Sequence, residues 1–467
     1  MTTMLIGGTV VTELHPAGIV TGDVVIEGDR IAAVGPPPAG TSGMALIDCR
    51  GCLVIPGNVC AHTHAYSALA RGMPYRLAPP RDFVEVLRRV WWRLDRALDE
   101  ESIRASARVA AMEALLAGTT TLVDHHASPG AIDGSLDILA EEFGRLGLRS
   151  VLAYETTDRD GPGHARAGLD ENRRFLDRVA ATRPPLARGL VGAHASFTLS
   201  DTTLERCVDL ARASGTGLHV HVAEDAADER DAEAAHGLSV LARLERAGGL
   251  DPASVLAHGV HLDRSEAALF RASGATLVHN PRSNMNNAVG RAPLDLLGPR
   301  IALGTDGIGA DMLEESRVGY LRHLEDRHGA AADEGEVLRG PGSAGSTDPA
   351  WPLARLAIGA RRVGDAFDEP SFGRVVAGAP ADLVVLDYPA PTPLTAGTLA
   401  GHWTFGLSAR AVRDVIVAGR VVVRERRLTA VDQDAIAADA RPVAARLWER
   451  LDTIAEHSFA PGEVMVG

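Results

Sequence analysis

Hydrophobic and polar positions follow two different patterns along this chain. Near the start, Thr3–Thr12 (TMLIGGTVVT) and Asp23–Gly35 (DVVIEGDRIAAVG) are Val/Ile-rich runs broken by Gly and Asp, which predicts short paired strands. The same pattern returns late, in Ala381–Asp387 (ADLVVLD) and Arg413–Glu425 (RDVIVAGRVVVRE). Strands at both ends predict one small β-sandwich assembled from residues 1–55 and 366–430, followed by a C-terminal helix and tail over 431–467 with helical periodicity from Asp432 to Ile454. Between them, over 56–365, apolar runs lead into polar residues and then into Ala/Leu/Arg/Glu stretches of helical character. Eight such runs can be read: CLVIPGNVCAHTH, TTTLVDHH, LRSVLAYETT, GLVGAHASF, GLHVHVAE, SVLAHGVHL, ATLVHNPRS and RIALGTDG. Eight strand–helix units predict a closed (β/α)8 barrel, an α/β fold. The Gly-, Ser- and acid-rich stretch Ala330–Pro349 reads as a loop.

Nearly every run ends in His, Asp, Glu or Asn. In such barrels the C-terminal strand ends form the active face, and a scaffold alone gives no reason to place histidines there. His62 and His64 stand two apart, so on a strand both point the same way and can hold one ion. Alone, an HxH is a weak sign. On the fifth run, His221 is a candidate ligand and Glu224 a candidate proton shuttle. His219, deeper on the same strand, reads as a packed histidine. His258 ends the sixth run, where it can hydrogen-bond an attacking hydroxide or a developing oxyanion; His261 beyond it reads as a loop residue. Asp306 follows the eighth run between glycines and can both coordinate and accept a proton. Three histidines and a carboxylate with room for water are a catalytic rather than a structural set. Zinc is the default ion, and the same donors suit iron or manganese.

Composition narrows the chemistry. The 467 residues are 46% hydrophobic and only 4% aromatic, so Ala, Val and Leu must do most of the packing. With 47 basic and 61 acidic residues the net charge is -14, which argues against nucleic acid or anionic membranes as partners but does not identify the small-molecule substrate. No lysine occurs, which excludes Schiff-base chemistry and a carbamylated lysine bridging two metals. Cys49 and Cys52 form a single CxxC with no second pair, so the four cysteines read as incidental thiols. No signal peptide or spanning segment is visible, and the expected location is the cytoplasm.

The motifs PGNVCAHTH with Arg71-Gly72, HVAE, AHGVHL, HNPRSN and LGTDG stand in barrel order. With them the chain resembles the amidohydrolase superfamily, in its cytosine deaminase and chlorohydrolase branch. WWRLDRALDEES, DHHASP, ETTDR, RSNMNN and TDGIGADM further resemble aminohydrolases of the SsnA type. The resemblance implies one divalent ion on His62, His64, His221 and Asp306, with Glu224, His258 and Asp306 catalytic. It implies that His194 touches substrate, and it suggests a homo-oligomer. The missing lysine agrees with a one-ion site. Further candidates at the mouth are Trp91, Trp92, Asp95, His125, His126, Glu155, Asn284 and Asn286, with at least one Trp expected in helix packing. His125 and His126 are adjacent, so they point to opposite faces. His15, His164, His236, His323, His328, His402 and His457 have no motif context and read as surface or core residues. The expected reaction is hydrolytic deamination of a nitrogen heterocycle or amidine. A near alternative is hydrolysis of another C–N or a C–Cl bond, and a distant one is a catalytically silent barrel.

Overall fold

The eight runs become eight parallel strands: β1 (Asn58–Thr63), β2 (Thr119–His126), β3 (Arg149–Tyr154), β4 (Val191–Ala195), β5 (Leu218–Val222), β6 (Val255–His258), β7 (Thr276–His279) and β8 (Ile301–Leu303). The structure is a computed structural model that describes residues 2–36, 42–334 and 348–461. Strands β1 to β3 are paired in order, and so are β4 to β8. Two parallel bridges, Thr63 with Asp306 and Thr156 with Ala193, join the two groups and close the barrel. Both seams need close backbone approach. A Cβ on Gly192 would lie 2.1 Å from the Tyr154 carbonyl oxygen, and one on Gly304 would lie 2.7 Å from that of His62. Glycine at these two positions lets β4 meet β3 and β8 meet β1.

Helices follow the strands and cover the barrel. Their ends carry the expected caps: Asp99 and Asp263 form capping boxes, and Ser200, Asp225 and Ser239 accept hydrogen bonds from the first turns that follow them. Val59, Ala61, Val123, Val151, Val278 and Ala302 cluster with Ala360, Val363 and Phe367 of the helix Trp351–Phe367. Burial of each such Val contributes on the order of 1.5–3 kcal/mol.

The strands at the two ends join one nine-stranded sheet. Leu53–Pro56 pairs with Leu383–Leu386 in antiparallel register, which is where the N-terminal and C-terminal parts meet. Its core holds Leu5, Val10, Val24, Ile26, Ile31, Val54, Leu383, Val385 and Ile416. A buried ion pair, Arg149 Nε to Asp382 Oδ2 at 2.8 Å, ties the sheet to β3. Cys49 and Cys52 lie in the turn before Leu53 as free, buried thiols. Burial pushes Cys49 up to about 12, so it stays protonated. The C-terminal helix spans Gln433–Thr453 and is capped by Asp432. The stretch read as a loop differs at its start: residues 330–334 continue the helix Met312–Glu334, while 335–347 lie outside the described residues. Among the described residues no helix is long and apolar enough to cross a membrane.

Candidate metal centre

His62, His64, His221 and Asp306 converge at the C-terminal end of the barrel, with one ligand atom from each lying within 4.8 Å of every other. His64 Nε2 is 3.0 Å from Asp306 Oδ1 and 3.2 Å from His221 Nε2, and His62 Nε2 is 3.3 Å from Asp306 Oδ1. Two donors each bound at about 2.0–2.1 Å to a tetrahedral ion sit roughly 3.3 Å apart, so these separations suit one first-row divalent cation.

The other ring nitrogens explain why the Nε2 atoms face inward. His64 Nδ1 donates to the His125 carbonyl at 2.6 Å, and His221 Nδ1 donates to the His194 carbonyl at 2.9 Å. His62 Nδ1 lies 2.8 Å from His219 Nε2. Each outer contact holds one nitrogen and leaves Nε2 as the free donor. His62 Nε2 is buried and makes no well-aligned hydrogen bond of its own. Burial pushes His62 down to about 4 and His221 well below its usual value, so both are neutral, lone-pair donors near neutral pH. His64 differs: burial opposes its charge, but the hydrogen bond and charge of Asp306 prevail and raise it to about 9. Asp306 is held well below the usual carboxylate range by His62 and His64, against the opposing effect of burial. Three imidazoles and a carboxylate gathered this closely, with His64 able to give up its proton to a metal, fit a divalent cation.

Asp306 sits at φ 53°, a left-handed conformation that costs a non-glycine residue energy. It is held there from several sides. Its amide donates to the His62 carbonyl at 3.1 Å, its carbonyl accepts from Thr63 Oγ1 at 2.9 Å, and its Oδ2 accepts from Ser283 Oγ. His258 also has positive φ, 75°, and its Nδ1 lies 2.9 Å from Asn284 Oδ1. Its Nε2 thus faces Glu224 Oε2 at 3.6 Å. Glu224, His258 and Asp306 form a second group whose polar atoms lie within 4.8 Å of one another. Burial pushes Glu224 up to about 7, and His258 opposes that rise.

A cleft opens beside this group. Its wall includes Tyr66, Phe83, Leu87, Trp91, Trp92, Asp95, Glu155, His194, Phe197, Glu224 and Asn287. Trp91, Trp92, Asp95, Glu155 and His194 are thus brought together as the sequence suggested, with Trp92 nonetheless 2% exposed and packed in the roof. His125, expected at the substrate, is not in this wall. Its ring is fully buried, 4.6 Å from that of His219, with Nδ1 3.6 Å from Glu155 Oε2, and its carbonyl accepts from His64. The physical reason is the strand pleat: His125 turns into the barrel among His219 and His221, and His126 turns the other way to Ser128 Oγ at 3.0 Å. Asn284 supports His258 from behind, and Asn286 is exposed outside the cleft. The amide that reaches the cleft is Asn287, whose Nδ2 donates to Glu224 Oε1 at 3.4 Å. Its signal was its spacing from Ser283, four residues earlier and on the same helical face.

His219 is the packed histidine the sequence suggested, with a further task as the outer partner of His62. His261 bonds the Val289 carbonyl at 2.7 Å in a loop. His457 is buried against Trp92, with ring centroids 5.1 Å apart. The side chain of His328 lies outside the described residues.

Behind the cleft, Arg159 joins Asp95 Oδ2 at 2.6 Å and Glu155 Oε1 at 2.7 Å, with all three side chains buried. Burial pushes Asp95 upward against the pull of Arg159, while Glu155 is held low by His194 and Arg159 despite its burial. Arg159→Met would leave two carboxylates in a dry site without a counter-charge. The expected loss of stability is about 3–5 kcal/mol, read as a fall in the urea midpoint at unchanged slope.

A closed barrel with three imidazoles and an aspartate gathered at its C-terminal mouth defines a metal-dependent hydrolase scaffold. Residues 53–339 match the model of the amidohydrolase family, and the chain belongs to that family. It is 30% identical over 456 residues to a 5-methylthioadenosine/S-adenosylhomocysteine deaminase of Pelotomaculum thermopropionicum, covering 95% of this chain and 98% of that one. Among solved structures, an adenosine deaminase from Xanthomonas campestris with bound zinc shares the fold at TM-score 0.81 and 24% identity, covering 97% of this chain and 99% of that one. An atrazine chlorohydrolase from Arthrobacter aurescens complexed with zinc does so at TM-score 0.77 and 22% identity, covering 95% and 100%.

Proposed function

We propose that this chain is a mononuclear metal-dependent aminohydrolase that releases ammonia from an amino-substituted nitrogen heterocycle, with adenosine-type nucleosides as the first substrates to test. His62, His64, His221 and Asp306 would hold one divalent ion, zinc by preference, and that ion supplies the Lewis acidity that makes water nucleophilic near neutral pH. Asp306 Oδ1 faces that centre and takes a proton from the attacking water. Glu224 gives a proton to the ring nitrogen beside the amino-bearing carbon, which makes that carbon a better electrophile. His258 Nε2 faces the same point and hydrogen-bonds the oxygen as it adds. A C–O bond forms, Asp306 passes the proton it took to the amino group, the C–N bond breaks with release of ammonia, and the proton on the added oxygen returns to Glu224 as the carbonyl forms.

The observation that carries this reading is the group of Glu224, His258 and Asp306 around one point, with Glu224 raised to about 7 by burial. A carboxyl group so placed can give and take a proton at the pH where cells work. The same point bears on the chlorohydrolase alternative. Chloride leaves as an anion without protonation, whereas an amine needs a proton, which Asp306 can return to it after taking it from the water. Substrate contacts follow from the cleft wall. Asp95 Oδ1 is buried with no hydrogen-bond partner and borders the cleft, so it suits a hydroxyl donor such as a sugar. His194 shares that wall, and Phe83, Leu87 and Phe197 give it an apolar side.

A panel of aminopurine nucleosides, free aminopurines, aminopyrimidines and chlorotriazines, scored for ammonia and for chloride, tests the proposal. Ammonia from a nucleoside, with one metal per chain by elemental analysis, is the expected outcome. Chloride release without ammonia would reverse the preference.

A further inference from the structure

Beyond the helix Gln433–Thr453 the chain runs back over the segment that carries Trp91 and Trp92 to the cleft. Arg93 Nε donates to the Ile454 carbonyl at 2.7 Å, and Arg88 Nε donates to the His457 carbonyl at 2.7 Å. The His457 amide donates in return to the Arg88 carbonyl at 3.1 Å. Glu456 adds an ion pair with Arg89 at 3.0 Å. The His457 side chain held by these bonds is buried, and its ring stands edge-on to Trp92 with centroids 5.1 Å apart. Phe459 lies beside it, 5.7 Å from the same indole. The two ring nitrogens of His457 have fixed roles. Nδ1 accepts from the Phe459 amide at 3.0 Å, so the proton of the neutral ring is on Nε2. Nε2 therefore donates to Asp160 Oδ1 at 3.4 Å.

Asp160 is ionised: burial opposes its charge, but His457, Arg159 and Arg96 together hold it low. Arg96 lies 2.6 Å from it, and Arg159 Nε is 3.5 Å from its Oδ2. Arg159 is also the counter-charge of Asp95 and Glu155, and its guanidinium lies 5.3 Å from the centre of the Trp92 ring. His457 thus meets the cleft wall along two lines, directly at Trp92, and at Asp95 through Asp160 and Arg159. Trp92 Nε1 and Asp95 Oδ1, where those lines end, are buried without a hydrogen-bond partner.

We propose that His457 is a positioning residue for substrate binding: from outside the cleft it sets the Trp92 indole and the Asp95 carboxylate that grip the non-reacting part of the substrate. The proposal rests on the aminohydrolase reading above. Three buried carboxylates share the one guanidinium of Arg159, and the Nε2 proton of His457 satisfies Asp160 from its other side. Without that proton Asp160 draws harder on Arg159, and the guanidinium loosens from Asp95. Glu224, His258 and Asp306 are not part of this chain of contacts, so grip changes and chemistry does not.

His457→Asn and His457→Gln test this as a pair. The Asn amide can stand where Nδ1 stands and is too short to reach Asp160, whereas the Gln amide nitrogen can stand where Nε2 stands. With an adenosine-type nucleoside, KM should rise about ten-fold in His457→Asn, the scale of one hydrogen bond to a charged group, and about three-fold or less in His457→Gln. In both, kcat and metal content should stay near those of the parent. KM for the free aminopurine, which has no hydroxyl for Asp95, should move less. A disturbance of packing alone removes the ring equally in both variants, and one methylene would not repair it. Equal KM in the two variants, or a ratio of nucleoside to free-base KM unchanged from the parent, overturns the proposal. A second measurement needs no turnover. Trp92 emission, isolated by comparison with Trp92→Phe, should be quenched more by acrylamide in His457→Asn than in the parent, and unchanged quenching also counts against the role. If the quenching shifts while the parent deaminates no panel member, it is the aminohydrolase reading that fails.

Discussion

Glu224→Gln is expected to retain one metal per chain and to lose about 10²–10⁴-fold in kcat, the range that a positioned proton donor supplies. Glutamine keeps the size of the side chain and can still meet Asn287, whose Nδ2 is 3.4 Å from Glu224 Oε1. What it lacks is a proton to give. The pH profile checks the same assignment. Glu224 must begin the cycle protonated, and burial raises it to about 7. The proton is therefore present below that value and lost above it, so kcat should decline as pH rises through about 7. Asp306, held well below the usual range, stays ionised across this window and adds no limb of its own there. In Glu224→Gln the residual rate should be flat where the parent declines. A variant that keeps its metal, its rate and its descending limb would remove Glu224 from the proton-transfer role.

The second large effect is expected at Asp306. Asp306→Asn removes the only carboxylate among the four converging residues. It deletes the negative charge that draws a cation between His62, His64 and His221, and it removes the base for the attacking water. Metal content should fall well below one per chain, and kcat should fall by about 10³-fold or more, corresponding to about 4 kcal/mol or more of lost transition-state stabilisation. Excess divalent ion should restore part of the occupancy but little of the rate, since an amide cannot accept the proton. Elemental analysis beside steady-state kinetics separates the two losses. Full recovery of rate at saturating metal would mean that Asp306 only holds the ion. His64 gives an independent check on the electrostatics. Its elevation to about 9 depends on the Asp306 hydrogen bond and charge, so its imidazole resonances should titrate lower in apo Asp306→Asn than in the apo parent.

The sequence by itself determined the barrel, the sheet built from both ends, and the four residues that converge. The reason is local. Strand period and chain punctuation are written in neighbouring residues, and in a (β/α)8 barrel every strand must deliver its C-terminal end to the same face. A histidine at the end of an apolar run is therefore placed by topology as soon as the run is known to be a strand. The same rule explains His62 with His64 and His219 with His221, which share a face because they stand two apart.

What only the tertiary structure decided depends on contacts between segments far apart in the chain. His125 became a buried support of His64 rather than a wall of the cleft, because the pleat of β2 turns its ring towards His219 while its carbonyl meets an imidazole from β1. Arg159 gathered Asp95 and Glu155 across 64 and 4 residues. The C-terminal His457 came to lie on Trp92 because Arg88 Nε donates to its carbonyl at 2.7 Å, a bond spanning 369 residues. No period or motif encodes such meetings. They follow from which faces remain unpaired once the elements exist, and from the cost of leaving a charge or a carbonyl buried without a partner.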